Sequence, residues 1–270
     1  MHLTVLSDNN GTCDLTGEWG LSILIEYEKH TILLDAGASD LFWDNAQKLG
    51  VDLADTDCAV LSHGHWDHAN GFVPFLARTR GIPLYLRRSA FDSYWSEEED
   101  GSLKYIGIPQ ELAQYADRLV YPEGDCQLFD GVWLIPHRMP GREQIGLRER
   151  MFRRREGCLD PDDFSHEQSL VLDTPRGLVI FNSCSHAGAA AIIDEVRERL
   201  PGRPVYAMIG GFHLHNKPAD EVRAFAERLR DSGAQHILTG HCTGDVAFAI
   251  LHEVLGERLL QFRAGLEAEL

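Results

Sequence analysis

The stretch Ser62-His63-Gly64-His65-Trp66-Asp67-His68 constrains this chain more than any other, because it sets three imidazoles and a carboxylate within six positions directly after the apolar run Cys58-Ala59-Val60-Leu61. His63 and His65 are two residues apart in a segment leaving a strand. In extended backbone their side chains emerge on the same side and converge on one point. Asp67 and His68 follow where the pattern turns helical, aimed at a neighbouring point. Four ligand-type side chains crowded together without a compensating partner would be costly to bury. The spacing therefore predicts a metal centre, and two adjacent ions suit the donor set: imidazoles serve zinc, iron or manganese, and the carboxylate adds a hard oxygen.

The rest of the sequence supplies an α/β frame. "LTVLSD", "GLSILIEY" and "TILLDAG" alternate as strands joined by turns, the second turn at Glu28-Lys29-His30. A helical stripe (Leu41, Phe42, Ala46, Leu49) closes at Gly50, "CAVLSH" reads as a buried strand, "NGFVPFLARTRG" as a helix and "PLYLR" as a strand. The pattern resumes in "HEQSLVLDTPRGLVIFNSCSH", two strands around a Thr174–Gly177 turn. Helix "AGAAAIIDEVRERL", strand "VYAMIGG", helix "PADEVRAFAERLRDSG", strand "HILTGH" and helix "GDVAFAILHEVLG" complete it. This order predicts layered α/β architecture in one domain over 1–270. Between about 88 and 164 the signal weakens, and the segment reads as an insertion near the cleft.

Charge and cysteine usage narrow the function classes. A formal net charge of −17 disfavours phosphate backbones and anionic membrane surfaces, so the expectation is a small-molecule substrate, with no nucleic acid and no membrane partner. The start of the chain lacks a basic-then-apolar leader pattern and no window approaches eighteen apolar residues, which reads as a cytoplasmic protein. The six cysteines form no C-x-x-C pair and read as reduced thiols. Against the acidic background, seven arginines fall between Arg138 and Arg155. They read either as a solvated helix or as an anion clamp, with Arg153 and Arg154 as the substrate-binding candidates, since guanidinium forks match phosphate or carboxylate.

The H-x-H-x-D-H pattern after a buried strand resembles the metallo-β-lactamase superfamily. "LLDAG" at 33–37 and the later loops follow in the order that the resemblance requires. It implies a four-layered αβ/βα sandwich with the metal site at the sheet edges. "ILTGHCTG" at 237–244 then places His241 on the second metal. "LVIFNSCSH" at 178–186 ends a strand where the family usually has a bridging aspartate, and Cys184 stands in that place. Either a thiolate replaces the carboxylate there or Cys184 is a small buried filler. His186 or His166 would complete the first metal's ligands. The narrower likeness of "EWGLSILIE", "LSHGHWDHANGF", "CSHAG", "GGFHL" and "GHCTG" is to the branch named after an archaeal dihydropterin ribofuranosyl-aminobenzene phosphate synthase, with Asn182-Ser183 departing from the Thr-Gly usual before "CSHAG".

Chemistry follows from these residues. Two divalent transition-metal ions, zinc first with manganese or iron as alternatives, would lower the pKa of a bound water and deliver hydroxide to an ester, lactone or phosphoester. Asp67 and His213 are the catalytic candidates, His213 through hydrogen bonding to substrate or leaving group, or else as a loop histidine satisfied by backbone. Glu18 reads either as support for the site or as a turn residue. The leading expectation is a dinuclear metallohydrolase. Alternatives are a pterin-type transferase on a phosphorylated ribosyl substrate, an iron-based redox variant, and a metal-dependent small-molecule sensor without turnover.

Overall fold

Parallel pairing at two strand edges fixes where the loops of His63, His186, His213 and His241 begin. The computed structural model describes all 270 residues, which divide into two compact units. Unit 1 holds Met1–Pro122, Pro140–Glu167 and Arg263–Leu270; unit 2 holds Glu123–Met139 and Gln168–Phe262.

In unit 1, His2–Ser7, Ser22–Tyr27 and His30–Leu34 pair antiparallel, and Cys58–Val60, Leu84–Tyr85 and Leu119–Val120 then add in parallel. With Glu267–Glu269 at the opposite edge they make a seven-stranded mixed sheet. Its strands are almost wholly buried, as their near-continuous Val, Ile and Leu runs require. The helices Leu41–Lys48 and Phe72–Arg78 bury Phe42, Ala46, Phe72, Phe75 and Leu76 in one apolar cluster with Leu24, Leu33, Ala59 and Leu84. Leu34 registers with Val60, so both chains leave the sheet at the same edge, carrying Asp35 and Ser62 side by side.

Unit 2 repeats the device. Gln168–Thr174 and Gly177–Phe181 form a hairpin, and Val205–Ile209, His236–Thr239 and Leu259–Gln261 continue the sheet in parallel. The helices Ala189–Arg199, Ala219–Asp231 and Asp245–Leu255 contribute Ile192, Val196, Val222, Phe225, Leu229 and Leu251 to its apolar cluster, at helical spacing within each element. Phe181 registers with Ile209 and Ile209 with Leu238, which sends the loops after three parallel strands out of one edge. Ligand sites of open α/β sheets lie outside such carboxyl ends.

The expected elements of the regular stretches are present, with ends trimmed by one to a few residues. The 88–164 stretch divides four ways, Leu119–Val120 being the part that joins the main sheet of unit 1. Cys126–Phe129 and Val132–Pro136 join the unit 2 sheet, Val132, Leu134 and Ile135 being buried there. Ser93–Glu97, Leu103–Tyr105, Met151–Arg155 and Cys158–Pro161 form a separate four-stranded antiparallel sheet in unit 1. Arg142–Glu149 is a short helix leading into it. The strands at 151–161 are largely exposed and polar, so they lack the alternation that reveals a half-buried strand in sequence.

At the edge of the unit 2 sheet, Gly210 has φ +140, and a Cβ there would stand 1.9 Å from the carbonyl oxygen of Asn182. Backbone cannot yield as a flexible side chain would. Gly210→Ala is therefore expected to lower unfolding free energy by on the order of 2–3 kcal/mol in urea titration. A loss below about 0.5 kcal/mol would show that this edge relaxes freely.

Candidate metal centre

One buried carboxylate organises the histidine cluster of unit 1. Asp35, fully buried at φ +56, has its backbone N–H donated to Val60 O and its carbonyl held by the Ser22 hydroxyl. Its Oδ1 accepts the Ser62 N–H at 2.7 Å, and its Oδ2 faces both the Ser62 hydroxyl at 2.6 Å and His68 Nδ1 at 2.8 Å. An ionised carboxylate only accepts, so Ser62 donates its proton to Asp35 and its oxygen must accept from His63 Nδ1, 2.8 Å away. The same rule makes His68 an Nδ1–H donor. Both imidazoles are thereby held as Nδ1–H tautomers with the Nε2 lone pair directed away from Asp35. A carboxylate on the far nitrogen is the usual arrangement behind a metal-binding histidine.

The other members close around them. The His63 ring centroid lies 4.2 Å from that of His68 and 4.6 Å from that of His65, and His68 Nε2 is 3.8 Å from Asp67 Oδ2. His63, His65, Asp67 and His68 are all buried. His65 begins the short helix Trp66–Ala69 that carries Asp67 and His68, and its backbone bridges to Gly107. Three imidazoles and one carboxylate, buried together, are the donor chemistry of a transition-metal site. The residues fit the ion that the sequence predicts.

His166 sits beside this group, 5.2 Å from His65 ring to ring, but its own nitrogens are taken. Nδ1 accepts the Gly64 N–H at 2.9 Å, leaving Nε2–H to donate to buried Asp162 at 3.0 Å. Through these bonds His166 braces the loop between His63 and His65, and its ring also lies with His65 and Asp162 in a buried group whose donor atoms are within 4.8 Å of one another. Asp162 was not foreseen, because a carboxylate four residues before a histidine carries no distinctive pattern. Glu18 braces the glycine turn after Asp35, accepting from Ala38 N–H and from the hydroxyls of Ser7 and Ser39.

Arg153 and Arg154 are also placed differently from an anion clamp. Arg153 bonds Asp163 at 3.2 Å and the Ser165 hydroxyl at 3.1 Å, with Asp92 at 3.9 Å, while Arg154 stacks over Trp95 at 4.5 Å. Burial would push the Arg153 guanidinium down, but Asp163 and its other acidic neighbours outweigh it and hold the charge in place. These two arginines knit the small sheet together.

In unit 2 the three strand-end loops bring together Cys184 and His186, His213, and His241 with Cys242. The donor atoms of Cys184, His186 and His213 lie within 4.8 Å of one another, as do those of Cys184, His241 and Cys242. Ser185, His213 and His241 all adopt positive φ, between 47° and 51°, a conformation costly for residues with a Cβ and concentrated at functional loops. Asn182 anchors the first loop: its Oδ1 accepts the Ser185 N–H at 2.7 Å, and its amide reaches Ser169 Oγ at 3.0 Å. Behind it, His137 lies 2.9 Å from both Ser169 Oγ and Glu195 Oε2. Burial raises the Glu195 carboxyl, but His137 and the Arg138 N–H outweigh it and hold the group below its usual range. Ser169, His137 and Glu195 have the order of a nucleophilic triad, yet the serine is wholly buried, so the network supports Asn182 instead.

Cys242 is the residue that sequence reasoning passed over. Burial pushes its thiol up, but the Cys184 thiol at 3.3 Å and the imidazoles of His241 and His213 outweigh it, holding it well below its ordinary value. Gly211 makes room, since a Cβ there would meet the Cys242 sulfur at 2.5 Å.

Comparison with known proteins accords with this geometry. The model of the metallo-β-lactamase superfamily matches residues 16–250. A protein of Methanocaldococcus jannaschii named 7,8-dihydropterin-6-methyl-4-(β-D-ribofuranosyl)-aminobenzene-5′-phosphate synthase is 26% identical over 260 residues, covering 91% of this chain and 88% of that protein. The crystal structure of Tm1679, described as a metal-dependent hydrolase of the β-lactamase superfamily, is 28% identical, with a TM-score of 0.84 over 100% of this chain and 99% of that one. A diphosphatase from the PhnP family shares the fold at 18% identity and a TM-score of 0.57, over 100% and 97% of the two chains.

Two outcomes follow from these hydrogen bonds. Asp35→Asn should weaken zinc affinity roughly 10–100-fold in competition with a chromophoric chelator, because the amide no longer enforces Nδ1–H on His63 and His68; unchanged affinity would remove Asp35 from the site. Glu195→Gln should cost about 1.5–3 kcal/mol at pH 7. The depressed carboxyl contributes stability above the unfolded-state value, and that contribution is lost as pH falls through its folded value. The melting-temperature gap between wild type and variant should therefore close below about pH 4. A gap that persists there would mean that the charge of Glu195 is not what matters.

Proposed function

The chain belongs to the metallo-β-lactamase superfamily, and from that premise we propose that it is a metal-dependent hydrolase of a small ester, lactone or phosphoester. The observation that carries the proposal is the buried set His63, His65, Asp67 and His68, with two of its imidazoles held in the metal-binding tautomer by Asp35. Unit 2 offers a second group of donors, which supports the reading of a second ion, zinc before manganese or iron because sulfur and imidazole predominate.

Bound divalent ions would supply a nucleophilic water at neutral pH and polarise the substrate's oxygen. The protein's part is positioning. Asp35 and Ser62 hold the rings of His63 and His68 in place through their Nδ1 atoms. Asp67, at the start of the Trp66–Ala69 helix, adds a carboxylate 3.8 Å from His68 Nε2. His213 is on a strained loop, its ring 4.8 Å from that of His186, and is the group of unit 2 that would hold or move a proton at a leaving atom. No helix is long and apolar enough to cross a membrane. A small molecule is the substrate that the charge of the chain favours, and a cytoplasmic setting suits its reduced thiols.

Similarity to the archaeal synthase favours one other reading, transfer of a group to an organic acceptor. The test is a panel of phosphodiesters, phosphomonoesters, lactones and pterin–ribosyl phosphates presented to zinc- and manganese-loaded protein in ¹⁸O-water. Hydrolysis predicts ¹⁸O in product, and Asp67→Asn should slow turnover at least about 100-fold while leaving the metal-free fold intact. Product without ¹⁸O would favour transfer. Tight binding of a panel member with no turnover in either metal form would overturn the enzyme reading in favour of a sensor.

A further inference from the structure

We infer that Cys242 is a metal ligand and that Cys184 and Cys242 form a dithiolate which, with His241, holds a thiophilic divalent cation in unit 2. The assignment rests on the metal-dependent reading above and goes beyond it in naming the donors and the class of cation. Three features, all within unit 2, carry it.

The first is distance. The two sulfurs lie 3.3 Å apart, and neither is in a disulfide. That separation is far from the ~2.05 Å of a disulfide and near the about 3.8 Å that two sulfurs span when each sits ~2.3 Å from one tetrahedral ion. A His241 donor atom completes a group whose members are all within 4.8 Å, and all three residues are buried.

The second is the backbone around the sulfur. The His213 N–H points at Cys242 Sγ from 3.2 Å, a charge-assisted donor of the kind that supports a thiolate. Gly211 is what lets this loop approach, because any side chain there would collide with that sulfur. The third is strain. His241 and His213 both hold left-handed backbone at the loops that deliver the cluster. Simple packing of two small apolar cysteines would need neither the donor nor the strain.

Cys58 shows the contrast within one chain. It is equally buried, in the strand Cys58–Val60, and burial with Asp57 nearby pushes its thiol up to about 12, the behaviour of an inert filler. Two sulfurs and an imidazole favour zinc, cobalt or cadmium over manganese, magnesium or calcium.

Cobalt titration of reduced, metal-free full-length protein tests the assignment. Wild type should develop a near-ultraviolet sulfur-to-cobalt band; Cys184→Ser and Cys242→Ser should each lose about half of it per bound ion, their double variant all of it, and Cys58→Ser none. X-ray absorption at the zinc edge, on zinc-loaded wild type, gives the same count without a variant that could misfold: two sulfur neighbours per chain at about 2.3 Å. An undiminished band in Cys242→Ser, or one sulfur or none per chain at the zinc edge, overturns the dithiolate while leaving metal binding intact. No uptake of cobalt or zinc by wild type would instead overturn the metal-dependent reading, and this assignment with it.

Discussion

The carboxylate of Asp35 is the constraint on which the unit 1 site depends. It is fully buried and is satisfied by one backbone N–H, one hydroxyl and one imidazole. A charge withdrawn from water must be hydrogen-bonded to this extent or it destabilises the fold. Satisfying it fixes the proton positions on His63 and His68 as a by-product. Stability and function are thus coupled through the same three bonds: the parallel register of Leu34 with Val60 brings Asp35 to Ser62, and Ser62 passes the constraint on to His63.

Unit 2 solves a related problem with different materials. Its first loop is held by an amide, Asn182, supported by His137, Ser169 and Glu195. Asn182 suits this place because an asparagine can bond forward to Ser185 and back to Ser169 at once. Sulfur from Cys184 and Cys242 gives this cluster a softer character than the imidazole and carboxylate set of unit 1. One chain thereby presents two donor groups of different hardness.

Much of this was legible in the residues. The H-x-H-x-D-H spacing announces its chemistry because strand and helix periodicities dictate where the side chains go, and the parallel strands of both units stand out as uninterrupted apolar runs. What escaped notice shares one cause: the supporting groups come from distant sequence positions and carry no local pattern. His137 is 45 residues from Asn182, and Cys242 is 58 from Cys184. The arginine-rich segment is a different case. Charge density in sequence says nothing about pairing, and Arg153 meets Asp163, a carboxylate that the strands Met151–Arg155 and Cys158–Pro161 fold back toward it. His166 has the type and position of a ligand, and its nitrogens bond Asp162 and Gly64.

The central claim is that both donor groups bind transition metal. Elemental analysis by inductively coupled plasma mass spectrometry, on protein reconstituted with zinc and dialysed, tests it most directly. The account predicts close to two zinc ions per chain, falling to about one when either His63 and His65, or Cys184 and His241, are replaced by alanine. A wild-type protein that retains less than one ion per chain would contradict it.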